Sequence, residues 1–122
     1  MSYTIVVERD LVRLTLTGDL TQQDLAGIAA AADDIQRDLD PVPPRFTDMT
    51  GITDLKVSYP AVRKLADKIR AMSLASESKS AIVVGSTSQM GIARMFQTLN
   101  DNPRITINIF SAEADALKWL RS

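Results

Sequence analysis

Past residue 44 the chain changes its hydrophobic period in a regular rhythm. RFTDMT, SAIVVGS and RITINIF are short runs of β-branched and apolar residues. Each gives way to a stretch with apolar residues at helical spacing: YPAVRKLADKIRAMSL, SQMGIARMFQTLN, and a last segment holding Leu117, Trp119 and Leu120. Strands separated by helices are joined by crossovers, and right-handed crossovers lay such strands side by side in parallel. The unbroken apolar run of SAIVVGS fits a strand covered on both faces. The rhythm restricts the chain to an α/β architecture.

The first 44 residues add an edge and a first crossover. YTIVVE and LVRLTLTG flank a tight polar break at Arg9-Asp10, which predicts an antiparallel hairpin. Thr21 opens a helix, and Asp24 three residues later can bond back to it as in a capping box. Leu25, Ile28, Ala29, Ala32, Ile35 and Leu39 form its apolar stripe, and Asp40-Pro41 with Pro43-Pro44 end it. Val62, Leu65, Ile69 and Met72 share one side of the next helix, and Ser111 is read as the cap of the last. The order is ββαβαβαβα: a mixed, mostly parallel sheet with an antiparallel edge hairpin and covering helices. With no linker, repeat or low-complexity segment, residues 1–122 read as one domain.

Composition removes whole classes of chemistry. Apolar residues make up 45% and charged residues 24%, as in soluble globular proteins. A net charge of −1 supplies no surplus of cations for a phosphate backbone, so no nucleic-acid partner is expected. There is no cysteine and no histidine, which removes disulfides, thiolate nucleophiles, the usual neutral-pH base and the commonest metal ligands. Asp48 and Asp54 are the carboxylates nearest the expected crevice, and nothing fixes their separation for acid–base work. The run DDIQRD reads as a solvated helix face. The expectation is therefore a non-enzyme with no catalytic residues, no metal and no cofactor. The N-terminus lacks a signal peptide, and no stretch reaches the roughly 18 apolar residues of a membrane span, so a cytoplasmic protein outside the membrane is expected.

In open α/β sheets, ligands collect beyond the carboxyl ends of the parallel strands. Asp48-Met49-Thr50-Gly51, Gly85-Ser86-Thr87-Ser88 and Phe110-Ser111 should meet there, each ahead of a helix N-terminus that favours anions. Serine and threonine are also preferred N-caps, and GSTSQMG lacks the Gly-Lys-Ser/Thr ending of a nucleotide loop. In the helix that follows, Ile92, Phe96 and Leu99 suffice for docking, while Met90, Ala93 and Met95 widen the apolar surface. Met49, Tyr59 and Met72 can join them. Such a surface lines a pocket for a small apolar or amphipathic molecule, forms a homodimer interface, or is covered by the protein's own core. Arg94 interrupts it, either to grip an anionic head group or to pair at the surface. The proposed ligand-binding set is Asp48, Thr50, Ser86, Met90, Arg94 and Met95. Arg63, Lys64, Lys68 and Arg70 around Asp67 read as a solvated face. Ser58, just before Tyr59-Pro60, reads as a helix cap whose position tolerates a phosphate.

The element order, together with DMTGIT, GIARMFQ and ADALKWL, resembles the SpoIIAA-like family. This STAS-related group is also similar to the CRAL-TRIO lipid-binding fold. Anti-sigma-factor antagonists of the STAS class carry Asp-Ser-Ser-Gly at the head of the second helix, and a kinase phosphorylates a serine there. Matching through DMTGIT sets KVSY at that place, with Ser58 on the phosphorylated serine; Lys56, Val57 and Tyr59 replace the aspartate, first serine and glycine. The resemblance implies a binding module for a small amphipathic ligand or for self-association, or alternatively a partner switch phosphorylated at Ser58.

Overall fold

The computed structural model describes residues 3–37, 41–71, 76–100 and 102–122. Its elements are β1 (Tyr3–Val7), β2 (Val12–Thr21), α1 (Gln22–Arg37), β3 (Arg45–Lys56), α2 (Tyr59–Arg70), β4 (Ser78–Val83), α3 (Thr87–Leu99), β5 (Ile105–Phe110) and α4 (Glu113–Leu120). The order ββαβαβαβα is the one read from the sequence. Leu39, Asp40 and Met72 lie outside the described residues.

The sheet order is β1-β2-β3-β4-β5, with β1 antiparallel to β2 and every other pair parallel. Three right-handed crossovers that all advance in one direction must put their helices on one face. The buried clusters agree. Leu25 and Ile28 of α1, Val62 of α2 and Ala93 of α3 meet Leu14, Leu16, Met49 and Ile82 on that side. Ala116 and Leu120 of α4 meet Phe46, Ala81 and Val83 on the other. β4 lies between the layers and is buried on both faces.

At the entry to α1 the capping exchange is present. Asp24 Oδ2 accepts from both Thr21 N and Thr21 Oγ1 at 2.9 Å, and Asp24 N donates to Thr21 Oγ1 at 3.2 Å. Ser111 does not cap α4. Ala112 occupies the N-cap without a side-chain bond, and Glu113 and Asp115 supply the negative charge that this helix end favours.

Strand β3 departs furthest from the sequence reading, which ended it at Thr50 and placed a loop before α2. It pairs with β2 through Lys56, with register shifts between Thr15 and Thr17 and between Gly18 and Asp19. Val12 lies opposite Arg45 and Leu14 opposite Thr47, but Gly18 lies opposite Ile52 and Leu20 opposite Leu55. Each irregularity therefore inserts one residue into β3, as a bulge does. Gly51 is dictated by this: a Cβ there would lie 2.9 Å from the Leu16 carbonyl oxygen. Gly18 adopts the left-handed region, at φ 68°. The result is a β2–β3 ribbon that outruns β4 and carries the chain to Ser58.

Candidate functional site

Three places on this frame carry polar chemistry. The first is the rim at the carboxyl ends of the parallel strands. Thr50 and Gly85 are neighbours there, since a Cβ on Gly85 would lie 3.5 Å from Thr50 Cγ2. Val84 N donates to the Phe110 carbonyl at 2.9 Å. Thr50 within β3 and the turns after β4 and β5 therefore share a rim. Its hydroxyls are engaged locally: Asp48 Oδ1 accepts from Thr50 N at 2.9 Å and Thr50 Oγ1 at 2.6 Å, and Ser86 Oγ accepts from Gln89 N at 3.1 Å. Thr50 does not precede a helix, because β3 continues past it.

Gln89 ties this rim together and was not singled out from the sequence. It is buried, takes Gly85 N on Oε1 at 2.7 Å and donates Nε2 to the Ile52 carbonyl at 3.2 Å. The spacing Ser86-x-x-Gln89 is a capping-box pattern and was the available signal. Along α3, Met90 and Met95 pack against the core between the helices and the sheet. Arg94 points away from it and is exposed, with no ion pair among the described residues. The sequence-derived set thus divides: Asp48, Thr50 and Ser86 lie at the rim, Met90 and Met95 in the packing layer, and Arg94 on the outer surface.

The second place is the head of α2. Ser58 is the N-cap residue in extended backbone, with a proline in the first turn, but its side chain makes no bond to the helix N–H groups. Its Oγ receives a long contact from Gln22 Nε2 at 3.4 Å, and the residue is half-buried. Lys56 reaches Asp19 at 3.0 Å and Asp54 at 4.0 Å. The hydrogen bond and charge of Asp19, with Asp54 behind them, raise its pKa. On the outer face of α2, Asp67 pairs with Arg70 at 3.2 Å and Arg63 at 3.9 Å, the solvated pattern read from the sequence.

The third place lies inside. Phe46 faces α4, so by the period of two its neighbours Arg45 and Thr47 face α1–α3. Ser80 is the β4 residue directly beside Arg45. All three line a cavity of about 70 Å³ between the sheet and the helices, whose remaining wall is apolar. Desolvation by burial pushes the Arg45 pKa down to about 10, which leaves the guanidinium charged at neutral pH. The sequence reading passed over Arg45 and Thr47; the alternation in RFTDM sets the two on one face with Phe46 on the other, but does not say which face is inward.

No family model matches the chain, and no curated protein does. Solved structures do. An uncharacterised DUF3478-family protein with a SpoIIAA-like fold from Shewanella loihica matches with a TM-score of 0.62 and 19% identity, over 97% of this chain and 91% of that one. The fold is SpoIIAA-like. An anti-sigma factor antagonist from Mycobacterium paratuberculosis also matches, with a TM-score of 0.56 and 11% identity, over 98% of this chain and 93% of that one. At these identities the likeness concerns the fold of this SpoIIAA-like domain. Among its described residues no helix is long and apolar enough to cross a membrane.

Proposed function

We propose that this SpoIIAA-like domain is a non-enzymatic, cytoplasmic regulatory module that acts by binding, with phosphorylation of Ser58 as its input. The observation that carries the reading is the free geometry of Ser58. Its hydroxyl stands at the head of α2 without bonding that helix. A phosphate there adds about −1.5 to −2 charge where the dipole and unpaired N–H groups of the helix favour an anion. The similarity to an anti-sigma factor antagonist supports this direction. Lys56, Val57 and Tyr59 alter the surroundings of the serine, so the kinase and partner would differ from those of Asp-Ser-Ser-Gly proteins.

Trypsin cleaves after Lys56 and Arg63, so Ser58 falls in the peptide Val57–Arg63. Phosphopeptide mapping of the protein from growing and from starved host cells should find phosphate on this peptide, lost in Ser58→Ala. A peptide recovered in quantity and always unmodified refutes the switch.

A second reading, a small amphipathic ligand, is favoured by the Arg45 cavity in place of the α3 surface. Self-association would use the open edge of β1, where Val6 and Val7 are 51% and 59% exposed. Native mass spectrometry showing only monomer at micromolar concentration would rule it out.

A further inference from the structure

The two edges of the sheet are finished differently. Ser78 N donates to the Arg104 carbonyl and Val84 N to the Phe110 carbonyl, so the even-numbered residues of β5 face β4 and the odd-numbered ones face outward. Ile107 is one of the outward residues, and Gln97 Nε2 donates to its carbonyl at 2.6 Å. A side chain of α3 thereby closes this edge. No such guard stands at β1. Glu8 N donates to the Leu11 carbonyl, and Val12 N turns away from β1 to the Pro44 carbonyl. Alternation from there bonds Val6 and Thr4 to Arg13 and Thr15, and points the N–H and C=O groups of Tyr3, Ile5 and Val7 outward. No partner for these outward groups is present among the described residues. The strand pairs with β2 without a register shift, and YTIVV holds no charge, proline or glycine. Exposed edges are usually blunted by a charge, a proline or a bulge, because a bare one recruits another strand.

We propose that β1 pairs antiparallel with β1 of a second copy of this chain, about a two-fold axis at Ile5, so that two five-stranded sheets become one continuous sheet. The register follows from the outward groups. Only an axis at Ile5 engages all three residues: Tyr3 meets Val7 of the partner subunit, Ile5 meets its own copy, and Val7 meets Tyr3 of the partner subunit. Each such pair exchanges two hydrogen bonds, which satisfies every outward group of both strands. No charge within the strand opposes its copy, and Glu8, the first charge after it, is held by Arg13 at 3.1 Å. A second copy fits better than a foreign strand for two reasons. The pattern is its own complement, and the assembly closes, since the axis uses both β1 edges and leaves outside only the β5 edges that Gln97 guards. Tyr3 and Ile5 pack into the helix-covered cluster, so Thr4 and Val6 lie on the other face of the sheet, where both are exposed. Across the axis Thr4 stands opposite Val6 of the partner subunit in a non-hydrogen-bonded pair, with Cα atoms about 4.5 Å apart. This arrangement rests on the self-association reading, gives it a register, and does not involve Ser58.

The chain has no cysteine, so single cysteines report the register cleanly. Full-length Thr4→Cys and Val6→Cys proteins, one of them isotope-labelled, are mixed under reducing conditions, oxidised, and weighed by mass spectrometry. The mixed disulfide dimer should greatly exceed both like-with-like dimers. Cα atoms about 4.5 Å apart can be bridged, whereas two copies of the same residue lie on a diagonal of about 7–8 Å, at or beyond the limit. Native mass spectrometry and sedimentation equilibrium of the parent should show a dimer, and no larger species, at micromolar concentration. Val7→Pro removes an outward N–H without touching the ladder to β2, and should weaken the dimer roughly 10- to 100-fold, the scale of two lost bonds. Should that variant fail to fold, Val6→Lys, which sets a charge on the exposed edge, should shift the equilibrium toward monomer in the same direction. A parent that stays monomeric overturns both this arrangement and the self-association reading. A dimer that persists at unchanged strength in a folded Val7→Pro or Val6→Lys protein, or that yields no excess of the mixed disulfide, overturns the β1 pairing and leaves self-association through another surface. Ladders of higher oligomers overturn the closed two-fold assembly.

Discussion

Replacing Gln89 by leucine isolates what holds the rim together. Leucine nearly matches the volume of glutamine and suits a helix, so neither a large cavity nor a propensity loss complicates the result. Two hydrogen bonds disappear: one from Gly85 N at 2.7 Å and one to the Ile52 carbonyl at 3.2 Å. A buried group left without its partner costs about 1–3 kcal/mol. Gly85 is exposed, so water replaces part of the first bond, whereas Ile52 is buried and its carbonyl depends on Gln89. The sum is about 2–4 kcal/mol, or roughly 8–15 °C in Tm for a domain of this length. Urea unfolding followed by circular dichroism, with calorimetry for Tm, measures both. Hydrogen exchange at Gly85 should quicken in the variant more than exchange in β1. A Tm within about 2 °C of the parent would show that Gln89 does not join β3 to α3 and would refute the reasoning.

Gly51→Ala should destabilise by about 1–3 kcal/mol, because its Cβ would lie 2.9 Å from a backbone oxygen that cannot move alone; an unchanged urea midpoint would show that the bulge relaxes freely. Phe46→Ala should cost about 3–5 kcal/mol, since the ring is fully buried against α4 with the Arg13 guanidinium carbon 4.7 Å from its centroid; a loss under about 1 kcal/mol would contradict that packing. Lys56 has a pKa raised by Asp19 and Asp54, so its stabilising contribution is complete below the ordinary lysine pKa and is lost as pH rises through the folded value. Lys56→Met should accordingly leave the shape of the stability–pH profile unchanged between pH 6 and 8, about two units or more below the lysine range; a new slope in that interval would refute the assignment.

The architecture was legible because its signals are local and repeated. Periodicity located all nine elements, and Thr21 with Asp24 marked the entry to α1 correctly. What escaped was set by interruptions of period. Two inserted residues move the inward positions of β3 from 45, 47 and 49 to 52 and 55, so no alternation survives past Thr50 and a strand reads as a loop. The head of α4 was misplaced by one residue because an alanine occupies the cap and acidic residues do its work. The hydroxyl-rich turns drew notice for their composition, while Arg45, one charge at the start of an apolar strand, was passed over. Its direction follows only from seeing that Phe46 faces α4.

Each strand of the sheet pairs with the next one in the chain, so contacts across the sheet never span more than one crossover. The polypeptide can add strands in the order of synthesis, without waiting for a distant segment to intercalate, and loop-closure entropy stays low at every step. Only α4 arrives after the sheet is complete, and until it docks, Phe46, Ala81 and Val83 lie open to water. A chain truncated before residue 113 should therefore present an adhesive apolar face, and docking of α4 is the event that covers it.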